Sequence, residues 1–182
     1  MKEPFLEQRK KINNLEITQE KWQEALFFAS EHINDLIMAA KINRDNAFSY
    51  REFKVGCAVA GIGSDGEYVV YQGYNFKPQP GHVEGGEKRC AERNVLDEAQ
   101  SDTKAVFAIV TVSKEIDTGD PTKAHDALHP CRDCRTMFRE LLKSGFLKED
   151  TIILNANDSG EKIITEKRTL KELLDLYSDD IS

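Results

Sequence analysis

Residues 130–134 read Pro130-Cys131-Arg132-Asp133-Cys134, and well upstream the chain carries Cys90-Ala91-Glu92. Cys131 and Cys134 are three positions apart, so a helix puts both thiols on one face, where they can bind one ion. Proline directly before Cys131 is pre-shaped for a helix start, which sets that cysteine beside backbone N–H groups without intrahelical partners. The positive end of the helix dipole lowers a thiol pKa and favours the thiolate that a metal needs. Cys90 reads as the opening of a second helix. Two helix N-termini are therefore expected to converge on one metal.

Three thiolates suit Zn2+ and leave a fourth position for water. Glu92 gives the cluster a catalytic character. Two residues beyond Cys90, it lies about 200° around an ideal helix and makes a poor neighbouring ligand. At a helix start it is instead placed to reach a metal-bound water and to move its proton. A rival reading of the same residues is a closed structural zinc site with His82, His125 or His129 as fourth ligand. His125 and His129 otherwise read as loop residues without a ligand role. Cys57, between Gly56 and Ala58 in a strand-like run, reads as a small core residue.

Outward from these motifs, the periodicity alternates between helix and strand. Trp22, Ala25, Leu26, Ala29, Ile33, Leu36, Ile37 and Ala40 recur at helical spacing after Thr18, predicting one long amphipathic helix with Thr18 as N-cap. Residues 54–61 and 67–75 read as strands joined by Ser64-Asp65-Gly66, a hairpin signal. A loop rich in Pro and Gly (77–86) leads to the helix at Cys90. Residues 106–112 form a continuous apolar run rich in β-branched side chains, as in a strand buried on both faces. The helix that starts at Cys131 is expected to stop at Gly145. Residues 151–154 and 162–165 read as short strands, and Leu170, Leu173, Leu174 and Tyr177 mark a terminal helix. This order predicts the α/β class with a mixed sheet.

The composition limits the partners. The chain has 182 residues, with 25 Lys+Arg against 32 Asp+Glu and a formal net charge of −7. An acidic excess argues against a broad phosphate-tracking surface, so nucleic acid is not the expected partner. Lys77, Lys88 and Arg89 form a local basic group that keeps a phosphate-bearing ligand open. The longest apolar run, 105–112, is far short of the roughly 20 residues of a membrane span. Met1-Lys2-Glu3-Pro4-Phe5 has no apolar signal region, so a soluble cytoplasmic protein is expected. In a reducing compartment four cysteines point to metal binding, catalysis or burial before disulfides.

Cys-Ala-Glu followed by Pro-Cys-x-x-Cys resembles the zinc signature of the cytidine deaminase superfamily, in the form with Cys replacing the first His. Tyr50, Phe53, Val55 and Gly56 are similar to that family's Tyr-Ser-x-Phe-x-Val-Gly strand entry, and Gly73-Tyr74-Asn75 to the start of its Gly-x-Asn-Val-Glu-Asn segment. Gly86 stands before the Cys90 motif at the usual offset, and Cys131-Arg132-Asp133-Cys134-Arg135 resembles Cys-Gly-x-Cys-Arg. The ending, residues 172–177, is similar to the family's terminal Leu-Leu helix. The resemblance covers about residues 20–177.

The resemblance implies a three-layer α/β/α domain over residues 17–178 with a five-stranded mixed sheet, preceded by an arm or short helix at 1–16. One zinc ion per chain would sit on Cys90, Cys131 and Cys134, with Glu92 as proton shuttle. Phe53, Asn75 and Ala91 would contact substrate, Asn75 at the ribose and Phe53 near the base. Arg93 and Arg135 would offset the thiolate charge. The implied reaction is hydrolytic deamination of cytidine or deoxycytidine in pyrimidine salvage, by a homotetramer.

The departures concern substrate. Lys77 stands where the family places a ribose-binding glutamate, and Pro78 where it places asparagine. Residues 79–85 lengthen the loop before Cys90, the segment 113–129 is extended, and His129 replaces a small residue. Deamination of another base, of a nucleotide or of an aminopyrimidine antibiotic such as blasticidin S is therefore an alternative. So is a zinc-stabilised RNA-binding module without activity.

Overall fold

The computed structural model of the protein describes residues 16–49, 53–78, 89–114 and 127–178. The expected arm, Tyr50, the loop with His82, Gly86 and Lys88, and the segment with His125 fall outside these residues, apart from Glu16 at the end of the arm.

The chain opens with α1 (Gln19–Glu31) and α2 (Ile33–Asp45). Thr18 caps α1 as expected, its side chain accepting from the Lys21 amide at 3.1 Å. The single long helix is not found: it breaks at His32, whose backbone turns to φ −100° and ψ 17°. Its ring packs on Phe28 at 4.4 Å, and its Nδ1 lies 3.0 Å from the Asp35 carboxylate. These contacts hold the bend while the apolar face continues across it.

A short strand β1 (Phe48–Ser49) precedes the hairpin β2 (Val55–Gly63) and β3 (Tyr68–Tyr74). The hairpin turns through Gly66 at φ 90°, a conformation that favours glycine. β4 (Phe76–Lys77) pairs in parallel with β1, a small two-stranded ribbon that the sequence did not announce. Then follow α3 (Ala91–Ala99), β5 (Thr103–Lys114), α4 (Arg132–Lys143), β6 (Ile152–Asp158), β7 (Ile163–Thr169) and α5 (Leu170–Asp175). Gly145 follows α4 at φ 79°, as its predicted stop. α5 starts on a capping box between Thr169 and Glu172 and ends before Tyr177, shorter than expected.

The main sheet has five strands in the order β3-β2-β5-β6-β7. The β5–β6 pair is parallel and the other three are antiparallel, which makes the sheet mixed as predicted. Side-chain alternation divides the core in two. Trp22, Ala25, Leu36 and Ala40 of α1 and α2 pack with Ala58, Phe107 and Val110 on one face. Val95 and Leu96 of α3, Phe138 of α4 and Leu173 of α5 pack with Cys57, Val59 and Ile109 on the other. The result is three layers, α/β/α. Cys57 is fully buried in the second core, as its small neighbours suggested.

Candidate metal centre and active site

Both helices that meet at the site start on a cysteine. Cys90 is the N-cap of α3 (φ −73°, ψ 154°) and Cys131 the N-cap of α4 (φ −66°, ψ 168°). Cys134 lies within the first turn of α4 and is 1% exposed. The three sulfurs lie within 4.8 Å of one another, and the Cys90 and Cys131 Sγ atoms are 3.5 Å apart. A disulfide bond is only about 2.05 Å long. Tetrahedral zinc with Zn–S bonds of about 2.3 Å separates its sulfurs by about 3.8 Å. The donor set therefore fits one zinc ion and no disulfide.

The thiols share charge unequally. Hydrogen bonds from Cys134 and then Cys90, joined by the amides of Asp133 and Cys134, hold the Cys131 thiol down to about 2. Its bond to Cys131 pushes Cys90 up to about 11, and the same kind of bond pushes Cys134 far up. One thiolate is thus already stabilised at the start of α4.

Glu92 is 6% exposed in the first turn of α3. Burial pushes its carboxyl up, the Cys131 thiolate adds to that, and Lys77 pulls the other way. Among the described residues the group of potential ligands within reach of one another is the three cysteines, without Glu92. It stands beside the three thiols but outside their ligand group, its carboxyl hydrogen-bonded to its own backbone amide and to the Cys134 thiol.

A cleft opens on these groups. Phe53, Val55, Asn75 and Lys77 line it from the β2 and β4 side, Leu128 and His129 from the segment before α4, and Cys90, Ala91, Glu92 and Cys131 from the helix starts. The three expected substrate residues, Phe53, Asn75 and Ala91, all face this space. Lys77 holds its Nζ 4.6 Å from the centre of the Phe53 ring. Arg89 lies apart from it, its backbone paired with Phe76 and its guanidinium 3.7 Å from Asp97.

The two expected charge-offsetting arginines differ. Arg93 is exposed on α3. Arg135 donates to the Pro130 carbonyl and stacks 3.8 Å over the Tyr177 ring, which buttresses the turn that bears Cys131.

His129 is the residue whose role the sequence hid. Instead of an idle loop position, it occupies the cleft wall. Its Nδ1 lies 2.6 Å from the Tyr177 hydroxyl and its Nε2 2.6 Å from Glu166 Oε2. With both ring nitrogens engaged, His129 is no fourth metal ligand. Burial pushes Glu166 up, but the bond from His129 and the charge of Arg168 outweigh it and hold the carboxyl below its usual range. The one local signal was a bulky polar ring placed directly before Pro130-Cys131.

A family model described as the cytidine and deoxycytidylate deaminase zinc-binding region matches residues 30–144, more than half of the chain. The chain belongs to this family. The matched stretch contains Glu92 and all three clustered thiols, so the cofactor of this family member is one zinc ion on Cys90, Cys131 and Cys134. Among solved structures, a cytidine deaminase from Burkholderia pseudomallei is similar at 25% identity, with a TM-score of 0.55, over 77% of this chain and 94% of that one. A cytidine deaminase from Mycobacterium leprae gives 22% identity and a TM-score of 0.45 over 78% of this chain and 95% of that one. A search of curated proteins gives no match. No helix of the described residues is long and apolar enough to cross a membrane.

Proposed function

We propose that this member of the deaminase family hydrolyses the 4-amino group of a cytosine nucleoside, converting cytidine or deoxycytidine to the uracil nucleoside and ammonia. The observation that carries the reading is the buried Glu92 carboxyl beside the three-thiol centre and outside its ligand group, facing an open cleft. When bound, the zinc ion supplies the Lewis acidity that makes water a nucleophile at neutral pH. Glu92 takes one proton of the attacking water and delivers it to ring N3, then carries the second, from the new C4 hydroxyl, to the departing amine. The C4–N bond breaks, a C4–O bond forms, and ammonia leaves. The raised carboxyl pKa suits this shuttle, because a carboxylate of ordinary pKa is too weak a base to take up the proton it must pass on.

The remaining walls of the cleft position the base. Phe53 offers a face for a pyrimidine, Ala91 leaves room above the helix start, and Asn75 brings an amide to the sugar side. Lys77 supports a second reading, in which the sugar carries a phosphate. Exposed Phe27, Met38 and Ile42 on α1 and α2 support assembly as a homotetramer, and sedimentation of the zinc-loaded protein tests it. A cytoplasmic role in pyrimidine salvage accompanies the nucleoside reading.

The deciding experiment follows ammonia from nucleobases, nucleosides, nucleotides and short RNA side by side, in wild type and Glu92→Gln. Wild type should favour a cytosine nucleoside. The variant should lose about 100- to 10,000-fold in rate while keeping about one zinc per chain. Absence of ammonia from every compound in the wild-type assay overturns the reading and leaves the binding module.

A further inference from the structure

We propose that Tyr177 and Glu166 are positioning residues of the metal centre, acting through His129 on the Pro130-Cys131 turn. The inference rests on the zinc reading of the three thiols and not on the deamination chemistry.

His129 is clamped from two sides. A carboxylate only accepts hydrogen bonds, so Nε2–H donates to Glu166. Nδ1 shares a hydrogen bond with the Tyr177 hydroxyl, and the two rings meet edge to face at 5.8 Å. Each bond fixes the ring against rotation in a different direction. Pro130, with its φ locked by the pyrrolidine ring, joins His129 directly to Cys131. A histidine that cannot turn, followed by a proline, leaves little freedom in the backbone that aims the Cys131 sulfur.

Tyr177 also reaches the turn from its far side. Arg135, one residue past Cys134, stacks its guanidinium 3.8 Å over the Tyr177 ring and donates to the Pro130 carbonyl. Arg139, one helical turn further, donates to the Tyr177 carbonyl at 2.7 Å. The residue just past α5 thus touches the metal-bearing segment at His129, Arg135 and Arg139. Its base is firm, since Leu170 and Leu173 of α5 are fully buried. The side chains of His129 and Glu166 are only 23% and 27% exposed, which limits solvent competition for their bond.

The test uses the zinc-loaded full chain and competition with a coloured chelator, alongside thermal unfolding. Tyr177→Phe removes the hydroxyl and keeps the ring under Arg135, and Glu166→Ala removes the carboxylate. Both should bind zinc about 10-fold more weakly than wild type, and Glu166→Gln, which keeps an acceptor, should recover most of that loss. Glu172→Ala is the control, because it removes the α5 capping-box acceptor away from the turn and should lower Tm without changing zinc affinity. Wild-type zinc affinity in Tyr177→Phe and Glu166→Ala overturns the proposal, whatever their Tm. So does an equal loss of affinity in Glu172→Ala, which would reveal general loosening. No substrate enters these measurements, so a wrong substrate assignment leaves their outcome unchanged.

Discussion

Asn75 and Val55 exchange two hydrogen bonds: the Val55 amide donates to Asn75 Oδ1 at 2.8 Å, and the Asn75 amide donates to the Val55 carbonyl at 2.9 Å. Asn75 Nδ2 also donates to the Phe53 carbonyl at 2.8 Å, and the residue is 1% exposed. One side chain therefore pins the entry of β2, where two residues of the cleft wall sit. Asn75→Ala orphans a buried donor and an acceptor at once, and should cost about 2 to 4 kcal/mol in urea unfolding. A loss of activity unaccompanied by lost stability would mean that Asn75 serves the sugar and not the wall.

Lys77 lines the cleft and stands over the Phe53 ring of its aromatic wall. Lys77→Glu replaces it with an acceptor for sugar hydroxyls and repels phosphate. The expected result is a rise in kcat/KM for cytidine of about 10-fold, worth about 1.4 kcal/mol, and a fall for any nucleotide substrate. Steady-state kinetics on both substrates check it. Unchanged ratios would remove Lys77 from the determinants of specificity.

Gly56 of β2 lies against α2 so closely that a Cβ there would stand 1.9 Å from the Ala40 carbonyl oxygen and 2.4 Å from the Arg44 nitrogen. Both obstacles are helix backbone, which cannot swing aside as a flexible side chain would. Gly56→Ala should therefore force α2 off the sheet and cost about 3 kcal/mol, measured by denaturant unfolding. A cost under about 0.5 kcal/mol would show that the helix can ride further out.

Asp158 gives stability a pH dependence. Its side chain is 2% exposed, with Arg44 at 2.7 Å and Lys41 at 3.0 Å. Burial alone would raise its carboxyl, but the Gly160 amide, Arg44 and Lys41 outweigh this and hold it below its ordinary 3.8. The unfolded chain then takes up the proton first as pH falls. The stabilisation is complete above about pH 4 and disappears as pH drops through the lower folded value. Asp158→Asn should cost about 2 to 3 kcal/mol at pH 7 and flatten the loss of stability as pH falls below about 4. Unfolding curves for both proteins across that range check the difference.

The metal ligands, and the place of Glu92 beside them, were legible because their pattern is local: two cysteines in one helical turn behind a proline, and a carboxylate two residues from the third. The mixed sheet was legible because β2, β3 and β5 carry long apolar or alternating runs. The break at His32 was not, since Ala29, Ile33 and Leu36 keep helical spacing across it and only the backbone of one residue departs. β7 runs past the expected Thr165 to Thr169, because Glu166, Lys167 and Arg168 continue the strand with charged side chains. β1 and β4 are two residues each, too short to leave a period, and are marked only by the 5.5 Å stack of Phe48 on Phe76. The role of His129 lay hidden for a different reason. Its partners are 37 and 48 positions away, so no pattern around it could report them.

Cys90 and Cys131 lie 41 positions apart in the chain, and α3 and β5 are strung between them. An ion gripped by both, with Cys134, staples the ends of that loop together and fastens one helix start to the other. This fastening needs no oxidation. Reductants that cut a disulfide leave it whole, while a chelator opens it, so the same reagent that stops the chemistry also unlocks the two helices from each other.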